Sequence, residues 1–283
     1  MRRLLLPAVL LSSLFFSEAP QAQTGNIPLI DFSTKPSYLD KNVISLTFDD
    51  GPDLVNTPKV LDTLKEKGVK ATFFICTHNV VNVDTNADAR NLVKRIVAEG
   101  HELASHTVAH LHLPQQTPEK IESELAGVEK TVADIFGPGG PKLTLFRAPY
   151  GEPYTDGSGA AFNKVAPIGA KHGVHIGWAI DTLDWEKPNA DAVYSSFTGL
   201  VKTPGTGAYG VVLMHSIHPQ TAGALPRIID YLNTNKFVIK QVEDVVRARY
   251  GKSSAEIFGV SAGTGGSGGS GTGGAAGMGG SAG

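Results

Sequence analysis

Residues 46–52 read LTFDDGP. The stretch closes an apolar run over 43–48 that predicts a buried strand. Two carboxylates, Asp49 and Asp50, then stand side by side before a Gly51-Pro52 turn. Adjacent like charges repel, and no helix dipole is on offer at a strand end to offset them. Asp and Gly are ordinary turn residues, so a solvated turn would account for the stretch. A metal site or a reaction would account for it equally well, and the rest of the chain separates the two.

Outward from this strand, apolar runs alternate with longer amphipathic stretches. Strands are predicted over 43–48, 71–76, 101–105, 143–147, 174–180, 210–215 and 237–240. Helices are predicted over 58–67, 87–99, 118–136, 160–172, 190–202, 222–235 and 242–250. Thr57-Pro58 and Thr117-Pro118 each place a cap residue before a proline at the first helical position. Strands alternating with helices predict an α/β fold with a parallel sheet, here a distorted TIM-type barrel of seven rather than eight units. A single domain over 41–250 would hold it. Residues 23–40 read as an N-terminal extension.

The ends differ in character. Residues 1–22 carry Arg2 and Arg3, an apolar stretch from Leu4 to Phe16, and Ala19 or Ala22 near a cleavage point. That pattern reads as a secretory signal, too short for a membrane span. The mature protein is therefore expected outside the cytoplasm, secreted or in the cell envelope, with no integral membrane span. Residues 251–283 are mostly Gly, Ser, Ala and Thr and read as a disordered tail.

Bulk composition narrows the function. The 283 residues are 41% hydrophobic with a net charge of −2. No basic stripe is visible, which argues against nucleic acid. A neutral substrate fits this balance better than a polyanion. The lone cysteine, Cys76, reads as a small buried hydrophobe. A monomer is expected.

The unusual polar residues fall in one place. Asp49 and Asp50 follow the first predicted strand, and His106 and His110, in SHTVAH, follow the third. Arg147 and Tyr150, in FRAPYG, follow the fourth. Asp181 and Asp184, in DTLDW, follow the fifth, and His215, in LMHS, ends the sixth. Each cluster sits at a strand's C-terminal end, the face that carries active sites in barrels of this type. Scattered turn residues would fall at both ends.

The chemistry is coherent. Histidines four apart share a face if the segment is a helical turn, and Asp50 supplies a third ligand. Two His and one carboxylate leave open positions, as catalytic zinc sites do. Asp49 can then serve as base towards a water activated by the metal. Arg147 can orient that base, His215 can protonate a leaving amine, and Asp184 can partner His215. The backbone N–H of Tyr150 is a candidate donor to an oxyanion. Together these describe metal-assisted hydrolysis of an amide or ester.

TFDDG, H-T-x-x-H, R-A-P-Y, D-x-x-D-W and L-M-H, in this order, resemble the five motifs of the polysaccharide deacetylase family. This is the NodB-homology group, carbohydrate esterase family 4, whose members deacetylate chitin, chitooligosaccharides, peptidoglycan or xylan. The resemblance covers roughly 41–250. It implies a distorted (β/α) barrel and a divalent metal, usually zinc and in some members cobalt or nickel. It also implies Asp49 as base, with Asp50, His106 and His110 as ligands. Arg147 would position the base, Tyr150 would face the oxyanion, and Asp184 would tune the acid His215. Trp185 and Leu213 would shape the pocket for the acetyl methyl group. Ala148 and Ser216 depart from the usual Pro and Asp and are expected to alter the groove.

Three function classes follow. The first is a metal-dependent N-deacetylase on a GlcNAc-containing polysaccharide or oligosaccharide. The second is an O-acetyl esterase on xylan or a similar glycan. The third is a glycan-binding homologue without activity, disfavoured because both Asp49 and His215 are present. His78 and His112 are expected to be solvated or to stand just behind the site residues, and Glu152 and Asp156 to line the groove.

Overall fold

The strand that ends in Asp49 alternates strictly. In β2 (Val43–Asp49), Ile44, Leu46 and Phe48 pack into the main apolar core, while Ser45, Thr47 and Asp49 face the other way. All six are buried, as expected of a parallel strand covered on both faces. The computed structural model describes residues 27–260, so the proposed signal segment and most of the Gly-rich tail lie outside the described residues.

In chain order the strands are β1 (Leu29–Ile30), β2, β3 (Thr72–Ile75), β4 (Glu102–Ser105), β5 (Leu145–Phe146), β6 (Val174–Ile176), β7 (Ile180–Asp181), β8 (Gly210–His215) and β9 (Val238–Ile239). The helices are α1 (Asn56–Glu66), α2 (Ala87–Ala98), α3 (Pro118–Phe136), α4 (Gly159–Gly169), α5 (Ala190–Val201), α6 (Pro219–Thr234), α7 (Val242–Tyr250) and α8 (Ser254–Ile257). The sheet order is β1-β6-β5-β4-β3-β2-β8-β7, every pairing is parallel, and β9 joins the start of β2. The segment from Val174 to Asp181 pairs first with β5 and β1, then with β8. It thereby draws the two ends of the sheet together into a curled, distorted barrel of β/α units.

One expected strand, 174–180, is two. The N–H of Gly177 donates to the carbonyl of Ile30, and that of Ala179 to Val211. The chain thus changes neighbour within three residues. A Cβ on Gly177 would stand 2.8 Å from the Ile30 carbonyl oxygen, so only glycine lets β1 come this close. Four other expectations shift. β1 lies within the N-terminal extension, and α8, with a Ser253–Glu256 capping box, lies within the stretch read as tail. α6 begins at Pro219, three residues early. Thr57 does not cap α1, because the helix already begins at Asn56, where Asp53 Oδ1 takes the N–H groups of Val55 and Asn56.

Inside the barrel the inward residues sort by depth. At the N-terminal mouth, Val242, Val245 and Val246 of α7 pack against Phe74, Ala104, Leu145, Val174, Ile176 and Val211. α7 plugs that end. Its N-terminus is held by Glu102, whose carboxylate accepts from Thr72 Oγ1, the N–H of Val242 (3.0 Å) and the N–H of Glu243 (3.2 Å). At the other mouth the strands end in the polar residues described below.

Replacing Glu102 by Ala strips the plug helix of its cap and should cost about 2–3 kcal/mol of stability. Urea unfolding of wild type, Glu102→Ala and Glu102→Gln checks this, with the Gln variant expected between the other two. An unchanged midpoint for Glu102→Ala would show that α7 is held by its valines alone.

Candidate active site

Asp49 is the last inward residue of β2, and its register partner on β8 is His215. The two occupy neighbouring strands on the same face, one strand spacing apart. Asp49 Oδ1 accepts from Arg147 Nη1 at 2.7 Å. Arg147 is 0% exposed, and its guanidinium also donates to Thr47 Oγ1 (2.9 Å) and to the carbonyls of Ile176 (2.9 Å) and Gly177 (3.3 Å). It lies over Phe74, 4.2 Å from the ring centre. Burial pushes the Asp49 carboxyl up to about 6, against the opposing pull of Arg147 and His215.

Asp50 takes a different direction because its backbone is left-handed, with φ 72°. That turn carries its carboxylate out of the strand towards the loop after β4. There, Asp50 Oδ1 stands 3.4 Å from His106 Nε2 and 3.2 Å from His110 Nε2. The expected helical turn is absent: Thr107 (φ 72°) and His110 (φ 53°) are left-handed, and an irregular loop brings the rings together instead. Their centres are 4.9 Å apart.

These three donors fit a divalent metal. His106 Nδ1 is 2.8 Å from the carbonyl of Arg147, which accepts only, so Nδ1 carries the proton and Nε2 is left as a lone pair. Asp50 Oδ1 is buried without a hydrogen-bond partner. Burial, followed by the charge of His110, holds His106 well below the ordinary imidazole range, and burial also lowers His110. Two neutral imidazoles and a carboxylate aimed at one point are an unsatisfied arrangement until a cation completes it. Among the described residues this is the one group of three such donors converging within 4.8 Å.

His215 is held from behind. Its Nδ1 is 2.7 Å from Asp184 Oδ1, and its own N–H donates to Asp184 Oδ2 at 2.7 Å. Asp184 is fully buried and also accepts from Thr221 Oγ1 and the N–H of Trp185. Burial alone would raise Asp184, but its bond to His215 and that ring's charge outweigh it and hold the carboxyl low. Burial alone would likewise lower His215, yet the Asp184 bond and charge prevail and raise it to about 9. Thr221 was hidden from sequence reasoning because the helix was expected to begin one residue later. Gln220, whose side chain donates to the Asp184 carbonyl, escaped for the same reason.

The remaining site residues ring the opening. Tyr150 is 50% exposed in a left-handed conformation (φ 61°, ψ 4°), followed by Gly151 at φ 72°. Leu213 is an inward residue of β8, 6% exposed, two before His215, while Trp185 is 52% exposed on the turn over 184–186. Asp181 Oδ1 accepts from the N–H of Leu183 and so braces that turn. Ala148 and Ser216 correct the expectation of an altered groove: both are 0% exposed and line none of it. Ser216 instead packs under the Gly51 turn, where its hydroxyl accepts from Thr57 at 3.2 Å. His112 is not simply solvated, since it stacks on Tyr150 and pairs with Glu152.

Comparison with known proteins agrees with this geometry. The Polysaccharide deacetylase family model matches residues 37–167. A peptidoglycan-N-acetylglucosamine deacetylase of Bacillus cereus is 34% identical over 199 residues, covering 69% of this chain and 65% of its own. The chain thus spans just under two thirds of that relative's length. A chitooligosaccharide deacetylase of a Bradyrhizobium species is 34% identical over 200 residues, covering 69% of this chain and 81% of its own. The chitin deacetylase structure from the fungal pathogen Colletotrichum lindemuthianum superposes with a TM-score of 0.62 at 28% identity, over 76% of this chain and 89% of that one. Five motifs at five strand ends, a matching family model and relatives aligned over most of their length lead to one conclusion: the chain belongs to the polysaccharide deacetylase family.

Proposed function

We propose that this protein is a metal-dependent N-deacetylase acting on GlcNAc-containing glycans, chitooligosaccharide or peptidoglycan, outside the cytoplasm. One observation carries the reading. Asp49 and His215 are register partners on adjacent strands, each with a buried charged partner of its own, beside the Asp50–His106–His110 donor set. The relatives named above act on N-acetylglucosamine polymers or oligomers, which supports that substrate class. The N-terminal signal pattern supports export. No helix among the described residues is long and apolar enough to cross a membrane.

Zinc is the ion we assign to Asp50, His106 and His110, because two imidazoles and a carboxylate suit it. When bound there, a divalent ion would polarise the acetyl carbonyl and make a nearby water acidic. The chain's own groups do the rest. Asp49 Oδ1 is engaged by Arg147, while Oδ2 lies 3.6 Å from His106 Nε2 and is the oxygen that takes the water's proton. The backbone N–H of Tyr150 donates to the oxygen that gains charge in the tetrahedral state. His215, with Nδ1 committed to Asp184, delivers a proton from Nε2 to the departing amine. An amine is a poor leaving group, so this proton is essential to breaking the C–N bond. Leu213 and Trp185 bound the space for the acetyl methyl group.

The reading is tested by acetate release from chitooligosaccharide, peptidoglycan and acetylated xylan. The zinc-loaded protein should release acetate from a GlcNAc glycan and lose that activity on chelation. Release from xylan alone would make it an O-acetyl esterase, and release from none would end the proposal.

Asp49→Asn should keep the metal, because the three ligands are untouched, and lose about 10³-fold in kcat. Full activity in this variant would remove Asp49 from the role of base.

The pH profile supplies a further check. His215 must be protonated, so activity falls as pH rises through its pKa, which Asp184 lifts to about 9 in the metal-free protein and which a bound divalent cation would bring down from there. Asp184→Asn removes the charge that raises His215, and the alkaline limb should therefore move to lower pH. A limb that stays in place would mean that another group sets it.

A further inference from the structure

We propose that His112 is a positioning residue: through Glu152 and the ring of Tyr150 it locks the metal-ligand loop to the loop that carries the oxyanion donor. The inference rests on the deacetylase reading above for what the lock accomplishes, and on geometry alone for its existence.

His112 follows His110 by two residues, on the loop after β4. Tyr150 and Glu152 lie on the loop after β5. The rings of His112 and Tyr150 are parallel within 7° at 3.9 Å between centres. The His110 ring meets the same tyrosine edge-on at 4.7 Å. Glu152 Oε2 sits 2.9 Å from His112 Nδ1 and fixes the orientation of the imidazole plane. Three residues from two loops thus make one stacked unit, with a metal-ligand histidine as its inner member.

The unit has a task because Tyr150 is both strained and open. It adopts a left-handed backbone that a non-glycine residue enters at a cost, and solvent reaches half of it. Burial therefore does not hold its ring. Gly151 follows in the same left-handed region without that cost and is held by its own bonds, its N–H to the Ala148 carbonyl and its carbonyl to the N–H groups of Tyr154 and Thr155, so beyond Tyr150 it is the backbone that is pinned and the tyrosine ring that is not. A parallel stack against an imidazole that is itself tethered supplies the missing restraint. The restraint bears on the N–H of the same residue, and a small misplacement of a catalytic donor lowers rate rather than binding. Deeper in the barrel the two loops are already joined, by Arg147 N–H to the Ser105 carbonyl and by His106 Nδ1–H to the Arg147 carbonyl. His112 extends that seam to the rim.

The test uses the zinc-loaded full chain and variants His112→Ala, His112→Phe, Glu152→Ala and Glu152→Gln. Acetate release from an N-acetylglucosamine tetramer gives kcat and KM separately, zinc titration gives metal affinity, and 1H–15N spectra report the Tyr150 amide. His112→Ala should lower kcat about tenfold, with KM and zinc affinity within about twofold of wild type, and should broaden or split the Tyr150 resonance. His112→Phe keeps a stacking ring and should recover most of the rate and a single sharp amide resonance. Glu152→Ala should lose part of the rate and Glu152→Gln should regain it. The proposal is overturned if His112→Ala keeps its rate, if the loss falls on KM or zinc affinity, or if His112→Phe is as slow as His112→Ala. Wild type inactive on every glycan would sink the deacetylase reading. The Tyr150 amide would then still decide the lock: unchanged in His112→Ala refutes it, broadened there and sharp in His112→Phe upholds it.

Discussion

The buried guanidinium of Arg147 is the constraint on which the rest of the site depends. A charge with 0% exposure persists only if its donors are answered. Here they are answered by β2, through Thr47 and Asp49, and by the start of the β6–β7 connection, through Ile176 and Gly177. Arg147 itself follows β5, so it crosses the barrel interior and ties three walls at one level. Its backbone does as much: the N–H bonds β4, and the carbonyl sets the tautomer of His106. One residue thus fixes the Asp49 carboxylate on one side and the Nε2 lone pair of His106 on the other. A lysine could supply the charge but not this fork.

Around that fixed centre the loops are bent into conformations that side chains resist. Asp50, Thr107, His110, Tyr150 and Leu183 all have positive φ, and all lie at C-terminal strand ends that meet at the site. The remaining non-glycine cases among the described residues, Lys202 and Lys236, follow helices. Each left-handed residue costs on the order of 1–2 kcal/mol. The barrel's apolar layers, with Phe48, Phe73 and Leu46 wholly buried, can carry that cost. In return a strand that would alternate its side chains places two consecutive aspartates on two tasks. Asp49 obeys the alternation and faces in. Asp50 breaks it and faces the histidines.

Much of this was legible from residue types and spacing, and what was not has physical reasons. β2 and β8 are long apolar runs, and their ends carry Asp49 and His215, so both the strands and this facing pair could be read. β1 and β7 contain two residues each, too few for any period, so β1 reads as extension and β7 merges with β6 into one strand; both exist because neighbours hold them. The four-residue spacing of His106 and His110 pointed to two rings that do converge, though through a helical turn that does not form. The Thr57 cap failed because the helix begins earlier, at Asn56, which puts Thr57 inside its first turn and leaves its hydroxyl to Ser216. His112 and Glu152 lie 40 residues apart on irregular loops, where no periodicity could have joined them.

The two titrating groups at the centre show burial and neighbours deciding opposite outcomes. Burial works on Asp49 and His215 alike, disfavouring the charged form of each. For Asp49 it prevails over Arg147, and the carboxyl rises to about 6, which makes a stronger base than an ordinary aspartate. For His215 it loses to Asp184, and the imidazole rises to about 9, which keeps it charged at neutral pH. Between those values the carboxylate is free to accept a proton while the imidazolium still holds one to give. That is the ionisation a hydrolysis of an amide requires. A divalent cation on the adjacent donors would lower both values, extending the window on its acid side and trimming it on the alkaline side. The bond to Asp184 and its charge, the largest of the contributions that raise His215, come from a carboxylate outside the Asp50–His106–His110 donor set.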